Sequence, residues 1–176
     1  MDSKTAIQIY TSLKDLGTRI WIDGGWGVDA LLGRQTRRHN DLDIVVEKKR
    51  LEALRKYFEL QQYTEAKPAI ARPHNFVLSD HYNNEIDVHV IEIDFDGNGT
   101  YGPVENGETY PANSLKGRGK IDNIDVDCIS AEYVVKFHSG YDLKEKDYQD
   151  VLAICNAFNL EIPKNYLRAP FRNDED

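Results

Sequence analysis

A glycine-rich corner followed by an acidic strand constrains this chain more than any other feature. The corner reads Trp21-Ile-Asp-Gly-Gly-Trp-Gly-Val-Asp29, and the run Asp41-Leu-Asp43 begins twelve residues further on. Gly24-Gly25 predicts a turn, and the short helix predicted beyond it, at 27–32, would add a partial positive charge. Backbone N–H groups at such a corner can approach phosphate oxygens closely.

Apolar residues alternate with acidic ones in the strand predicted to start at Asp41. Side chains two residues apart face the same side of a strand, so Asp41 and Asp43 can share a metal ion. Carboxylates this close repel each other unless a cation compensates them, and Mg²⁺ prefers carboxylate and phosphate oxygens. Asp-x-Asp pairs are frequent in a chain with 30 acidic residues, and a lone pair indicates a solvated surface. Here the apolar strand and the glycine corner favour a site.

A third carboxylate, Asp87, lies in a second strand-like run, predicted at 85–93. In two-metal phosphoryl chemistry such a carboxylate either binds the second ion or takes the proton of the attacking hydroxyl. On spacing alone, a surface aspartate on an edge strand is an equally good interpretation. With the glycine corner, the three aspartates predict a site that holds a nucleoside triphosphate on Mg²⁺ and transfers its nucleotidyl group.

The net charge of −8 argues against a general nucleic-acid binder, which would present a basic face. The basic cluster Arg34-Gln-Thr-Arg37-Arg38-His39 stands just before Asp41 and suits a triphosphate better than a long polymer. No apolar run approaches the roughly 20 residues that a membrane-spanning helix needs. The first residues lack the features of a signal peptide, so a cytoplasmic location is expected.

Hairpins and helices alternate irregularly along the 176 residues, which predicts an α+β fold with a mixed β-sheet flanked by helices. A chain of this length fits a single domain, expected at 1–168. Residues 130–160 are expected to form its helical C-terminal part, and 169–176 a disordered tail.

Three segments carry a family resemblance: Trp21–Asp29, Arg38-His-Asn-Asp-Leu-Asp43 and Ile86-Asp-Val-His89. With Phe137-His-Ser-Gly-Tyr-Asp-Leu143 they resemble the small lincosamide nucleotidyltransferases, members of the polymerase-β-like superfamily with the aminoglycoside nucleotidyltransferases as relatives. The resemblance implies a minimal nucleotidyltransferase fold. It also implies transfer of AMP or another NMP from NTP to a hydroxyl of a small antibiotic, most simply a lincosamide, with two Mg²⁺ ions as cofactors.

The resemblance implies roles by position as well. Gly24 and Gly25 would line the triphosphate, and Asp41 and Asp43 would hold Mg²⁺. Asp87 would serve as catalytic base, as metal ligand or as both.

Three basic residues are candidates for phosphate contact: Arg38, Lys136 and Lys146. Lys146 and Asp150 stand four residues apart on a predicted helix, and a surface ion pair between them is the preferred interpretation. His39 can orient Asp41 or cap a turn, and a structural role is favoured.

On the acceptor side, Arg72, His74 and His89 cluster around the predicted strand of Asp87 and are the candidate substrate contacts. A second copy of so small a domain could complete the acceptor pocket, so a homodimer is considered. The expected partners are therefore NTP and a small-molecule antibiotic, with no nucleic acid and no membrane.

A competing motif runs from Asp94 to Glu105 and satisfies the spacing of an EF-hand calcium loop. An EF-hand needs helices on both sides, whereas a strand is predicted before this segment and glycine and proline follow it. A turn that leaves the strand is therefore preferred. The alternatives that remain are an aminoglycoside nucleotidyltransferase, a toxin–antitoxin RNA nucleotidyltransferase and a non-catalytic module that binds nucleotide or calcium.

Overall fold

Nine strands and five helices alternate irregularly in the computed structural model, which describes residues 1–66, 71–103, 107–138 and 143–167. The helices are α1 Ser3–Asp15, α2 Gly24–Leu32, α3 Leu51–Leu60, α4 Ala131–Phe137 and α5 Glu145–Phe158. The strands are β1 Ile20–Asp23, β2 Asp41–Glu47, β3 Thr64–Glu65, β4 Asn75–Ser79, β5 Glu85–Ile93, β6 Gly99–Tyr101, β7 Glu108–Tyr110, β8 Gly117–Ile121 and β9 Ile124–Cys128. The α+β class predicted from the sequence is confirmed.

The strands form one mixed sheet in the order β3-β4-β5-β2-β1-β9-β8, and β6 and β7 continue from β5. β2 runs parallel to β5 and antiparallel to β1. In this register Asp43 stands opposite Asp87 on one side and opposite Asp23 on the other. Residues paired across neighbouring strands face the same side of a sheet, so the three carboxylates form one row.

The two faces of the sheet pack against different helices. On one face, Leu42, Ile44 and Val46 pack with residues of α1 and α3 in the larger core cluster. On the other face, Val45 packs in a second cluster with residues of α4 and α5. The aspartates of β2 alternate with the first set, so they lie on the side of α4 and α5.

The glycine corner differs from the prediction. Helix α2 begins at Gly24 rather than at Gly27, with Asp23 as its N-cap. The Gly24 N–H donates to the Asp23 side chain at 2.8 Å, so the acidic residue starts the helix directly after β1. The glycine pair thus forms the first helical turn rather than a separate loop.

Helices α4 and α5 both lie within residues 130–160. The predicted tail at 169–176 lies outside the described residues. None of the described helices combines the length and the apolar character needed to cross a bilayer.

Candidate active site

The three aspartates singled out in the sequence lie on one face of the sheet. One carboxylate oxygen each of Asp43 and Asp87 and one ring nitrogen of His89 all lie within 4.8 Å of one another. Asp41 lies two residues before Asp43 on the same face, and its charge acts on that of Asp43. Asp87 therefore does not face away from the acidic pair.

A fourth carboxylate, Asp23, was not assigned to the site from sequence. It ends β1 in register with Asp43 and lines the same cavity. Its position just before the glycine pair was visible in the sequence, but the pairing of β1 with β2 was not. Only that pairing places Asp23 beside Asp43.

Burial and the neighbouring negative charges raise the pKa of Asp43 to about 7. Burial is the largest cause, and the negative charges of Asp41, Asp23 and Asp87 add to it, while His89 partly offsets them. A cation among these oxygens would relieve the repulsion, and hard divalent cations prefer oxygen ligands. The donor set therefore fits a divalent metal.

Gly24 and Gly25 are required by two different close contacts. Gly24 has φ +55°, and a Cβ atom there would lie 2.0 Å from Oδ2 of Asp43. A Cβ atom on Gly25 would lie 2.4 Å from Nδ1 of His39 and 2.5 Å from a guanidinium nitrogen of Arg37. The backbone of Gly24 thus faces the acidic row, whereas Gly25 supports the loop that leads into β2.

A cavity of about 620 Å³ opens above Asp23 and Asp43, whereas Asp41 and Asp87 are not among the residues that line it. Its floor is formed by the β1–α2 corner and β2, one wall by β6 and β7, and the other by the end of α4. The residues that line it are Asp23, Gly24, Asp43, His89, Tyr101, Glu108, Thr109, Tyr110, Lys136, Phe137 and His138.

Asp87 is oriented by a neighbour that the sequence analysis missed. Asn75 on β4 donates from Nδ2 to Oδ1 of Asp87 at 2.7 Å. Nε2 of His89 lies 3.5 Å from the same oxygen, and Nδ1 lies 3.2 Å from the hydroxyl of Tyr110. The sequence offered no signal for Asn75.

The pKa of His89 is set by opposing effects. Burial by itself would lower it. The hydrogen bond to Asp87 and the negative charges of Asp23, Asp87 and Asp43 outweigh burial and raise it. Of the three predicted substrate contacts, His89 is the one that lines the cavity.

The other two predicted acceptor residues lie elsewhere. Arg72 is exposed and donates to the backbone oxygen of Ala71 at 3.0 Å. His74 packs edge-on against Tyr101, with the ring centres 5.0 Å apart, so it supports the cavity wall from behind.

The basic residues predicted to contact phosphate fall into two groups. Lys136 lines the cavity, with its amino group 4.4 Å from the ring centre of Tyr133. Arg38 and Lys146 are exposed, and neither belongs to the lining described above. The preferred ion pair of Lys146 with Asp150 is wrong, because Asp150 is buried and binds the guanidinium of Arg37 at 2.8 Å.

The Asp94 segment forms the turn that was preferred over a calcium loop. Oδ1 of Asp94 accepts hydrogen bonds from the backbone of Asp96 and Asn98, at 2.9 Å each. Positions six to eight of the motif form β6, which pairs with β5, and Glu105 lies outside the described residues. The segment thus connects two strands, whereas an EF-hand loop connects two helices.

Comparison with known proteins agrees with this arrangement. A family model described as aminoglycoside-2''-adenylyltransferase matches residues 5–154. A lincosamide resistance protein of Staphylococcus haemolyticus is 33% identical over 149 residues, which cover 84% of this chain and 91% of that protein. A 2''-aminoglycoside nucleotidyltransferase of Klebsiella pneumoniae is 46% identical over 37 residues, or 21% of each chain.

Solved structures share the fold. The crystal structure of the lincosamide antibiotic adenylyltransferase LnuA with bound lincomycin has a TM-score of 0.77 and 28% identity, covering 88% of this chain and 96% of that one. ANT(2'')-Ia in complex with adenylyl-2''-tobramycin has a TM-score of 0.71 and 21% identity, covering 89% and 88%. The chain therefore belongs to the antibiotic-modifying nucleotidyltransferases, in the lincosamide family with the aminoglycoside enzymes as relatives, as its motifs predicted.

Proposed function

We propose that this enzyme transfers AMP from ATP to a hydroxyl group of a lincosamide and releases pyrophosphate. The observation that carries the proposal is the row of Asp23, Asp43 and Asp87 beside the first turn of α2, with Asp23 and Asp43 lining a cavity. The choice of a lincosamide is supported by the long match to a lincosamide resistance protein and by the likeness to the lincomycin-bound adenylyltransferase.

We propose Mg²⁺ as the cofactor, two ions held by Asp41, Asp43 and Asp87. The site of Asp43 supports this, because burial and the negative charges of its neighbours raise its pKa, and a bound cation would favour the charged form of these carboxylates. When bound, Mg²⁺ would neutralise charge on the triphosphate and on the departing pyrophosphate.

The proposed role of Asp87 is to accept the proton of the acceptor hydroxyl. As that oxygen bonds to the α-phosphorus, the bond from phosphorus to the bridging oxygen of the β-phosphate breaks, and pyrophosphate carries away the electron pair. The hydrogen bond from Asn75 holds the carboxylate in one orientation for this transfer. Asp87→Asn should lower kcat by roughly 10²–10⁴-fold.

The nucleotide and the acceptor would enter from different sides. We assign the triphosphate to the edge formed by Gly24 and Lys136, where the N-terminus of α2 and the ammonium group both favour negative charge. We assign the acceptor to the wall of Tyr101, Tyr110 and Phe137, whose rings suit the apolar face of a sugar. Arg38, Lys146, Arg72 and His74 stay predictions without a place in this cavity.

The direct test is product analysis by mass spectrometry. Purified enzyme is incubated with Mg²⁺, lincomycin and each of the four NTPs in turn, with Asp87→Asn as the inactive control. Lincomycin should gain the mass of one NMP, with ATP as the best donor. The proposal is wrong if lincomycin stays unmodified with every donor while another acceptor is modified.

A second candidate is transfer to an aminoglycoside, which the description of the matching family model favours. The curated aminoglycoside enzymes match over only 37 residues, which is why the lincosamide is placed first. Tobramycin in the same assay decides between them, since the two acceptors give products of different mass.

Three further points belong to the proposal. Residues 1–168 would act as one domain, and a cytoplasmic location would supply NTP and Mg²⁺ together. A homodimer stays a prediction, which sedimentation of the purified protein would test.

A further inference from the structure

A buried network of four side chains lies behind the acidic row and takes no part in the chemistry proposed above. It joins Asp29 on α2, Arg37 and His39 in the loop before β2, and Asp150 on α5. Asp29, His39 and Asp150 are 2%, 4% and 3% exposed. Buried polar groups persist only where their hydrogen bonds are made, so the network specifies one arrangement of these three elements.

Asp29 uses both of its oxygens to hold the loop. Oδ1 accepts from the backbone N–H of Thr36 at 2.9 Å and from its hydroxyl at 2.6 Å. Oδ2 lies 2.5 Å from Nε2 of His39. The loop is thus attached to α2 at both Thr36 and His39.

The hydrogen bonds of His39 determine which ring nitrogen carries the proton. Nη1 of Arg37 lies 3.0 Å from Nδ1 of His39, and a guanidinium can only donate. Nδ1 is therefore the acceptor, and the proton lies on Nε2, which donates to Asp29. The ring also packs on Trp26, with the ring centres 4.6 Å apart.

Arg37 extends the network to the C-terminal helix. Its Nε and Nη2 donate to the two oxygens of Asp150 at 3.3 and 2.8 Å, across 113 residues of chain. The guanidinium is planar and meets the carboxylate as a fork, which fixes direction as well as distance.

The network lies close to Asp41, the first residue of β2. His39 stands two residues before Asp41, and the negative charge of Asp41 acts on Arg37. The ring and the guanidinium also lie directly against Gly25, in the first turn of α2. Gly25 therefore packs against the network, while Gly24 packs against Asp43.

We infer that Arg37 and His39 are positioning residues: with Asp29 and Asp150 they hold the start of β2 against α2, and so set where Asp41 presents its carboxylate. Asp41 and Asp43 repel each other, and the loop that leads into them has no regular structure. An attached loop keeps Asp41 in place against that repulsion. The inference rests on the proposed metal role of Asp41 and Asp43.

The test compares Asp150→Asn and Arg37→Lys with the wild type. Each keeps nearly the same volume but removes the charged fork, and Arg37 is 24% exposed, so its charge keeps contact with water. Tyr10→Phe is the control, because it removes a partly buried hydrogen bond away from the cavity, the one that the Asp127 N–H donates to the Tyr10 hydroxyl at 2.8 Å.

Calorimetry measures binding of Mg²⁺ with a non-hydrolysable ATP analogue, and hydrogen exchange follows the amides of 36–41 in metal-free protein. Both network variants should bind the Mg²⁺–nucleotide complex 10–100-fold more weakly, the range found when partners that orient metal ligands are lost. Exchange at Thr36 should accelerate, while KM for the acceptor stays within about twofold of the wild-type value. Tyr10→Phe should match wild type in both measurements.

Unchanged Mg²⁺–nucleotide affinity in both network variants would overturn the inference, as would an equal loss of affinity in Tyr10→Phe. A wild type that binds no Mg²⁺–nucleotide would instead contradict the proposed function. If Asp150→Asn does not fold, Arg37→Lys carries the comparison.

Discussion

Replacing Asp43 by asparagine should stabilise the metal-free protein above neutral pH, although it removes a proposed catalytic group. The pKa of Asp43 is raised from 3.8 to about 7 in the folded protein. Between those pH values the folded state holds a proton that the unfolded state has released. Stability therefore falls as the pH rises through this window, and the penalty is complete above about pH 7.

The magnitude follows from the same difference. At about 1.4 kcal/mol per pKa unit, the full penalty would be about 4 kcal/mol. The side chain is partly exposed and solvent screens part of the repulsion, so we expect about 2 kcal/mol. For a protein of this size that corresponds to a rise in Tm of roughly 4–8 °C at pH 8.

Thermal and urea unfolding of both proteins at pH 4 and pH 8, with EDTA, measures this difference. Asp43→Asn should match wild type at pH 4 and exceed it at pH 8. Mg²⁺ at ten times its Kd should then stabilise wild type by about 1.4 kcal/mol and leave the variant unchanged. Asp96→Asn, an exposed carboxylate in the β5–β6 turn, is the control and should stay within about 0.5 kcal/mol of wild type. A variant less stable than wild type at pH 8, or equally stabilised by Mg²⁺, would refute the reasoning.

Three further predictions follow from the cavity. In urea unfolding, Gly24→Ala should lower the free energy of unfolding by more than Gly33→Ala does. Gly33 has a similar φ of +67°, but a Cβ atom there would meet nothing within 4 Å, so this control measures the backbone strain of about 1 kcal/mol without the collision with Asp43. Lys136→Met should raise KM for ATP roughly tenfold, whereas Lys146→Met should leave it within twofold, because only Lys136 lines the cavity; steady-state kinetics decides, and equal effects would contradict the assignment. Glu108 also lines the cavity, and Glu108→Gln should raise KM for a cationic acceptor roughly tenfold while KM for ATP stays unchanged, since a charge-assisted hydrogen bond contributes about 1.5–3 kcal/mol. A rise in KM for ATP alone would instead place Glu108 on the nucleotide side.

The acidic pair and its strand β2 were predictable because their signals are local. In β2, Leu42 and Ile44 alternate with Asp41 and Asp43, and a period of two leaves only one way to bury the apolar set. The start of α2 was placed three residues late. Its cap comes from Asp23, and the two glycines that follow were interpreted as a turn.

The residues missed at the site are those whose partners come from distant parts of the chain. Asn75 meets Asp87 because β4 pairs with β5, and Asp23 meets Asp43 because β1 pairs with β2. Asp150 was expected to pair with Lys146, four residues away. It binds Arg37 instead, since α5 packs over the loop before β2 and buries that carboxylate.

The amino-acid sequence alone thus determined the fold class, the family and the acidic pair, because alternation, glycine spacing and motif order are properties of neighbouring residues. Tertiary structure alone decided which other side chains line the cavity and which basic side chain pairs with which carboxylate. Those contacts depend on the register between strands and on the packing of α5, which bring together side chains as far as 113 residues apart.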